Sequence, residues 1–287
     1  MTAAEPDPQP RAAPEAAPAG ASSQDGAASP AGASSAPCTV LALATSTEWC
    51  SVALLLRTGA SVRVEQLDER AGNEHSRRVL PMARALLSAE GLDLEVLDAI
   101  GFDAGPGSFT GIRIGCGVAQ GLGFGLARPV APIPSLEAIA WQAHRPCVVV
   151  AMDARMGEVY LGAYGCSPCG AHDRAVRPRL LAPIAVLPAA QAAERLEQWR
   201  QQGVLARDAI VVGDGATRYA AFGLRLAELG LHAVDDTHAR AGSVARLAEA
   251  RLAAGDRLDA ALAAPLYVRD KVALDVEEQR RLRAGRA

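Results

Sequence analysis
Residues 99–128 read AIGFDAGPGSFTGIRIGCGVAQGLGFGLAR, and no other stretch restricts the fold of this chain as severely. The apolar run Ala99 to Phe102 predicts a strand, broken by a loop that carries Gly105, Pro106, Gly107, Ser108 and Thr110. Gly105 and Gly107 allow backbone angles that other residues resist, and Ser108 and Thr110 are natural helix N-caps. Strand, glycine-rich loop and helix start together can hold an anion on free backbone N–H groups. The alternative is a tight strand-to-helix turn that binds nothing. A P-loop is excluded: it needs a lysine that reaches the terminal phosphates, and the single lysine is Lys271. The dinucleotide fingerprint GxGxxG fails too, since Gly107 is followed by Ser108, Phe109 and Thr110 before Gly111.

Beyond the loop, Gly111, Gly115, Ala119, Gly123 and Ala127 recur every four residues, with Gly117, Gly121 and Gly125 on a neighbouring stripe. Each interior glycine costs about 1 kcal/mol of helix stability against alanine. Tertiary packing must offset that, most simply through very close approach of another element. Ile114 to Ala127 is uncharged but too short to span a membrane, which takes about 20 residues.

The 287 residues are half hydrophobic, with net charge −3, which gives room for one large domain or two small ones. That charge gives no reason to expect an autonomous nucleic-acid binder. The six cysteines are scattered. Cys50, Cys116 and Cys147 sit in apolar contexts typical of buried thiols, and Cys166-Ser-Pro-Cys169 is a lone CxxC, a weak zinc signal read as a plain loop pair. The pattern suits a reducing, cytosolic compartment.

Met1 to Pro37 holds no Val, Ile, Leu or aromatic residue and is expected to be disordered, with no apolar core for a secretion signal. Thr39 to Ala44, Cys50 to Leu56 and Ser61 to Leu67 read as a three-strand meander. A helix opens at Asn73 to Ser76 and runs to about Glu90, with an apolar stripe wider than a one-sided surface helix needs. Pro129 to Pro134 reads as a strand and Leu136 to Gln142 as a helix. Cys147 to Met152 and Glu158 to Tyr164 form a hairpin around Asp153-Ala-Arg-Met-Gly157. Cys166 to Pro178 is a loop, Gln191 to Gln202 a helix, Ala209 to Val212 a strand, and a short helix lies near Tyr219. Ser243 to Ala254 is the last clear helix, and the charged tail after Leu274 reads as solvated. The order describes an α/β fold of two similar halves. His232, Asp235, Asp236 and His238 have ligand chemistry but read as a solvated loop between helices. Glu74-His75 reads as capping and first-turn charge.

Several motifs occur in one order: LALATSTE from Leu41, CSVAL from Cys50, EHSRRVLP from Glu74, GPGSFTGIRIG from Gly105, MDARMGEVY from Met152 and PLYVR from Pro265. Together they resemble the bacterial TsaB (YeaZ) family over nearly everything after Thr39. The resemblance implies a two-lobed actin/Hsp70-like ASKHA fold, with an extension at 1–37, a first lobe at 38–134, a second at 135–268 and a charged tail at 269–287. It implies a non-catalytic, dimerising subunit for making threonylcarbamoyladenosine beside the anticodon of tRNA. Its implied partners are the catalytic paralogue TsaD and the ATPase TsaE, with homodimer formation as an alternative pairing. tRNA is met only through that complex, ATP and metal belong to the partner subunits, and no membrane is involved. The family pattern IDTST has an Asp where this chain has Ala44, so the nucleotide site is expected to be degenerate. The paralogue's HxxxH metal pair becomes His75 and Val79, and valine cannot ligate a metal. The competing reading is an ASKHA enzyme, either a small-molecule kinase or a glycoprotease-like metallopeptidase. No catalytic or metal residue is assigned. Gly105, Gly107, Ser108 and Thr110 form the candidate anion loop. Val79, Met82 and Leu86 with Gly115, Ala119 and Gly123 form the expected partner surface, because the two helices carry more apolar area than one sheet face can cover; the alternative is that both helices are simply buried within the lobe.

Overall fold
A computed structural model describes residues 36–268 apart from 169, 171, 172 and 237. The low-complexity extension, the charged tail and Cys169 therefore lie outside the described residues, except for Ala36 and Pro37. Both sheets lie within one compact unit, Ser34–Ala287.

The first half runs β1 (Cys38–Ala44), β2 (Trp49–Thr58), β3 (Ser61–Arg70), α1 (His75–Ala89), β4 (Ala99–Gly105), α2 (Phe109–Leu126) and β5 (Val130–Pro134). After α3 (Ser135–Gln142), the second half runs β6 (Cys147–Arg155), β7 (Glu158–Gly165), β8 (Arg179–Pro188), α4 (Ala189–Gln201), β9 (Ile210–Val212), α5 (Gly215–Arg218), α6 (Ala220–Glu228), β10 (His232–Val234) and α7 (Ala241–Ala253). The sheets have orders β3-β2-β1-β4-β5 and β8-β7-β6-β9-β10. In each, a three-strand antiparallel meander is extended by two parallel strands from its first strand. The two similar halves expected from element order are the same topology twice.

Period-two alternation explains why the central strands read as unbroken apolar runs. On β1, Leu41 and Leu43 face α1 and α2, while Val40, Ala42 and Ala44 face a shared interior with α3, α7 and the inner side of the second sheet. On β6, Val148, Val150 and Met152 face that interior, and Val149 and Ala151 face α4 and α6. Although α7 follows the second sheet in sequence, it packs on the first. Ser51 Oγ on β2 and Gln66 Oε1 on β3 accept from Ala241 N (2.9 Å) and Gly242 N (2.7 Å) at its start. Buried Arg57 on β2 pairs with Glu249 near its end.

Two strands escaped the sequence reading. β8 contains Pro183 and was not separated from the surrounding loops. β10 lies in the polar stretch read as a loop, and its three residues hold strand geometry only because they pair in parallel with β9. The expected partner surface needs a larger correction. Val79, Met82, Leu86, Gly115, Ala119 and Gly123 are all buried inside the first half, and Ala119 is 0% exposed. The chain's own sheet and turns consume that apolar area.

Candidate functional site
A cleft of about 1000 Å³ opens where the ends of β1, β4, β6 and β9 converge. Its first wall is built on the glycine-rich loop. A Cβ at Gly107 would stand 2.6 Å from Ser46 Cβ, one at Gly115 2.6 Å from Thr45 Oγ1, and one at Gly111 would overlap Thr45 O. Glycine is required there because the Thr45–Ser46 turn lies directly on the loop and on the first turns of α2. Ser108 N donates to Ser46 O (2.6 Å) and Thr45 Oγ1 donates to Gly111 O (2.8 Å). Ser108 caps α2 by accepting from Gly111 N (3.3 Å). The close approach expected from the spacing is real, and it spends amides of Ser108 and Gly111 on the chain itself. Thr110 is exposed at the cleft rim, and Gly105 turns the chain with φ +102°.

Behind this wall lies Asp103, a buried carboxyl missed in the sequence reading. Its Oδ1 accepts from Ser135 Oγ and from Gly105 N (3.2 Å), and burial pushes its pKa above the usual carboxylate range. An acid inside the apolar run AIGFDAG was the available signal. Across the rim, Leu266 N donates to Ala104 O (2.7 Å) and Arg113 Nε to Tyr267 Oη (2.8 Å). The Arg113 guanidinium lies 3.8 Å from the Phe109 ring centre.

The second wall centres on Asp153, at the end of β6. This strand holds the place in its sheet that β1 holds in the first. Asp153 is 5% exposed at the side chain and fully engaged. Oδ1 accepts from Tyr219 Oη (2.7 Å) and Arg155 N (2.8 Å), while Oδ2 pairs with Arg218 Nε (2.9 Å) and Arg155 Nη1 (3.2 Å). Asp214 Oδ1 accepts from Asp153 N (2.8 Å), and burial raises the Asp214 pKa. A Cβ at Gly213 would lie 3.0 Å from Ala151 C, so this wall repeats the backbone-on-backbone packing of the first. Ala44 closes β1 with no carboxylate at all. Asp153 is thus held by two guanidiniums and a phenol, and Asp214 lies beside it in the same wall.

The other candidates disperse. His75 and Val79 are both buried, and the His75 ring nitrogen Nε2 lies 3.1 Å from Trp49 O. His238 stacks on Trp49 (5.1 Å, 9°), whereas Asp236 accepts from Gln142 Nε2 (2.9 Å). Among the described residues no three His, Cys, Asp or Glu side chains gather to hold a metal. Burial pushes the Cys38, Cys50 and Cys166 thiols up to about 11, which suits inert thiols. No described helix is long and apolar enough to cross a membrane.

One surface remains open. Added Cβ atoms at Gly117, Gly121 and Gly125 would meet nothing within 4 Å, and Phe124, on the same side of α2, is 80% exposed. Ile114, Val118 and Leu122 beside them are half-buried, and Leu80 and Arg84 are exposed on α1.

A family model described as "TsaD: tRNA N6-adenosine threonylcarbamoyltransferase" matches residues 67–275. The chain is 51% identical over 126 residues to the tRNA threonylcarbamoyladenosine biosynthesis protein TsaB of Haemophilus influenzae, covering 42% of this chain and 52% of that protein. It is 41% identical over 129 residues to TsaB of Escherichia coli, covering 44% and 54%. The chain thus spans about half the length of the curated relatives it matches. Among solved structures, YeaZ from Pseudomonas aeruginosa matches over 80% of this chain and 100% of its own, with 35% identity and a TM-score of 0.64. With that structure matched along its whole length and the family model spanning most of the described residues, the chain belongs to the TsaB (YeaZ) family.

Proposed function
We propose that this chain is the non-catalytic, dimerising subunit of a cytoplasmic assembly that makes threonylcarbamoyladenosine in tRNA. In this reading it docks and activates a TsaD-type catalytic partner, and a TsaE-type ATPase joins the two. The names of its relatives support the pathway. The observation that carries the non-catalytic role is the engagement of Asp153 by Arg155, Arg218 and Tyr219, opposite a β1 that ends in Ala44. ATP and metal then belong to the partners, and the ASKHA cleft of this chain is a degenerate nucleotide site.

The docking surface in this reading is the open side of α2 with the neighbouring face of α1. Gly117, Gly121 and Gly125 let a partner helix approach closely, and Phe124 is a large aromatic anchor of the kind that dominates interfaces. Gly121→Arg tests it, because open space around that position leaves the fold intact while the new side chain blocks the approach. The variant should melt like the parent and fail to copurify the TsaD-type partner. A folded variant that binds the partner normally would place the interface elsewhere.

A further inference from the structure
Most surface arginines of this chain sit in ion pairs, among them Arg63 with Glu90, Arg78 with Glu69 and Arg225 with Glu228. Six exposed ones, Arg84, Arg145, Arg179, Arg195, Arg207 and Arg257, have neither a side-chain hydrogen bond nor an ion pair with any described residue, and strand register brings three of them, Arg145, Arg179 and Arg207, to one end of the second sheet. Arg179 begins β8 opposite Gly165, which pairs in turn with Cys147, two residues after Arg145. Val148 and Ile210 are partners, and Arg145 and Arg207 each precede their partner by three residues. With strands about 4.8 Å apart, the starts of β8, β6 and β9 that these residues stand on or lead into fall along roughly 15 Å of that end of the sheet. The cleft lies past the opposite ends of β6 and β9, so this edge is a separate surface.

Along the chain, Asp208 beside Arg207 is the one carboxylate within two residues of any of the three. A chain of net charge −3 thus presents three guanidinium groups without an ion pair at one end of this sheet. Guanidinium presents a planar fork matched to phosphate oxygens. We infer that the edge carrying Arg145, Arg179 and Arg207 binds the phosphodiester backbone of an RNA strand. The inference rests on the tRNA-modifying role above. Contacts of this type supply affinity and orientation but no sequence choice, which falls to other parts of the assembly.

The test uses the full chain assembled with its TsaD-type partner and an unmodified tRNA transcript, with affinity measured between 50 and 200 mM KCl. The triple variant Arg145→Gln, Arg179→Gln, Arg207→Gln should retain the partner yet bind RNA at least about tenfold more weakly at the low-salt end. The slope of log affinity against log salt should become shallower by about two, the amount expected for three lost phosphate contacts. Arg→Lys at the same positions should keep most of the slope. An unchanged affinity and slope with the partner bound would overturn the inference. So would loss of the partner with the RNA slope intact, which would assign the edge to an acidic protein surface. If the parent chain recruits no TsaD-type partner, the docking reading fails on its own. The salt slope of the isolated chain with the same RNA, compared with that of the triple variant, then decides the arginine edge separately.

Discussion

The same substitution at two glycines of α2 should have opposite effects. At Gly121 an added Cβ meets nothing within 4 Å, so Gly121→Ala gains helix propensity of up to about 1 kcal/mol. At Gly111 the Cβ would overlap Thr45 O and stand 3.1 Å from Thr45 C and 3.3 Å from Ser108 Cβ. Thr45 and Gly111 are buried, so the Thr45–Ser46 turn must lift off the helix. That weakens the Thr45 Oγ1 to Gly111 O and Ser108 N to Ser46 O hydrogen bonds. Two hydrogen bonds at about 1 kcal/mol each, with about 1–3 kcal/mol of overpacking, exceed the propensity gain. Gly111→Ala should therefore lose about 2–4 kcal/mol, lowering Tm by roughly 5–15 °C, while Gly121→Ala holds or raises it. Paired thermal and urea melts of the two variants supply the comparison. Equal stability would refute the claim that the turn is seated on the backbone of α2.

Three further outcomes follow from other parts of the molecule. Glu249→Ala removes the carboxylate that buried Arg57 faces and should cost about 3–5 kcal/mol in a urea melt; a loss under 1 kcal/mol would mean the pair does not hold α7 to the first sheet. Burial holds His238 below its usual pKa of 6.5, so the unfolded chain takes up that proton more readily. The stability it contributes is present above pH 6.5 and is lost as pH falls through the lower folded value, so His238→Asn should flatten the decline in Tm between pH 7 and 5.5; an identical decline would contradict this. The purified chain, free of its partners, should release no phosphate from ATP, and turnover that survives stringent purification would contradict the accessory role.

The fold was largely legible because both faces of the central strands are covered, which writes continuous runs such as Val148–Ala151 into the sequence. β10 was not, because pairing with β9 rather than its own pattern makes it a strand. The glycine stripes show the limit for the site. Spacing by four announces close approach at both Gly111–Gly123 and Gly117–Gly125, but only packing tells which stripe is filled. The filling element, Thr45–Ser46, lies 66 residues upstream of Gly111. For the same reason the expected partner surface fell on the buried stripe rather than the open one. Asp153, Asp214 and Tyr219 are separated in sequence and meet only in the fold.

The central claim is that this chain works through the outer side of α2 and not through chemistry in its cleft. Reconstituted threonylcarbamoyladenosine formation, with the chain, its TsaD-type and TsaE-type partners, ATP and unmodified tRNA, tests that most directly. Gly121→Arg should abolish modification as completely as omitting the chain. Arg155→Ala, which removes an exposed side chain from the cleft, should leave modification at the parent level. Modification that survives Gly121→Arg but is lost with Arg155→Ala would contradict the claim.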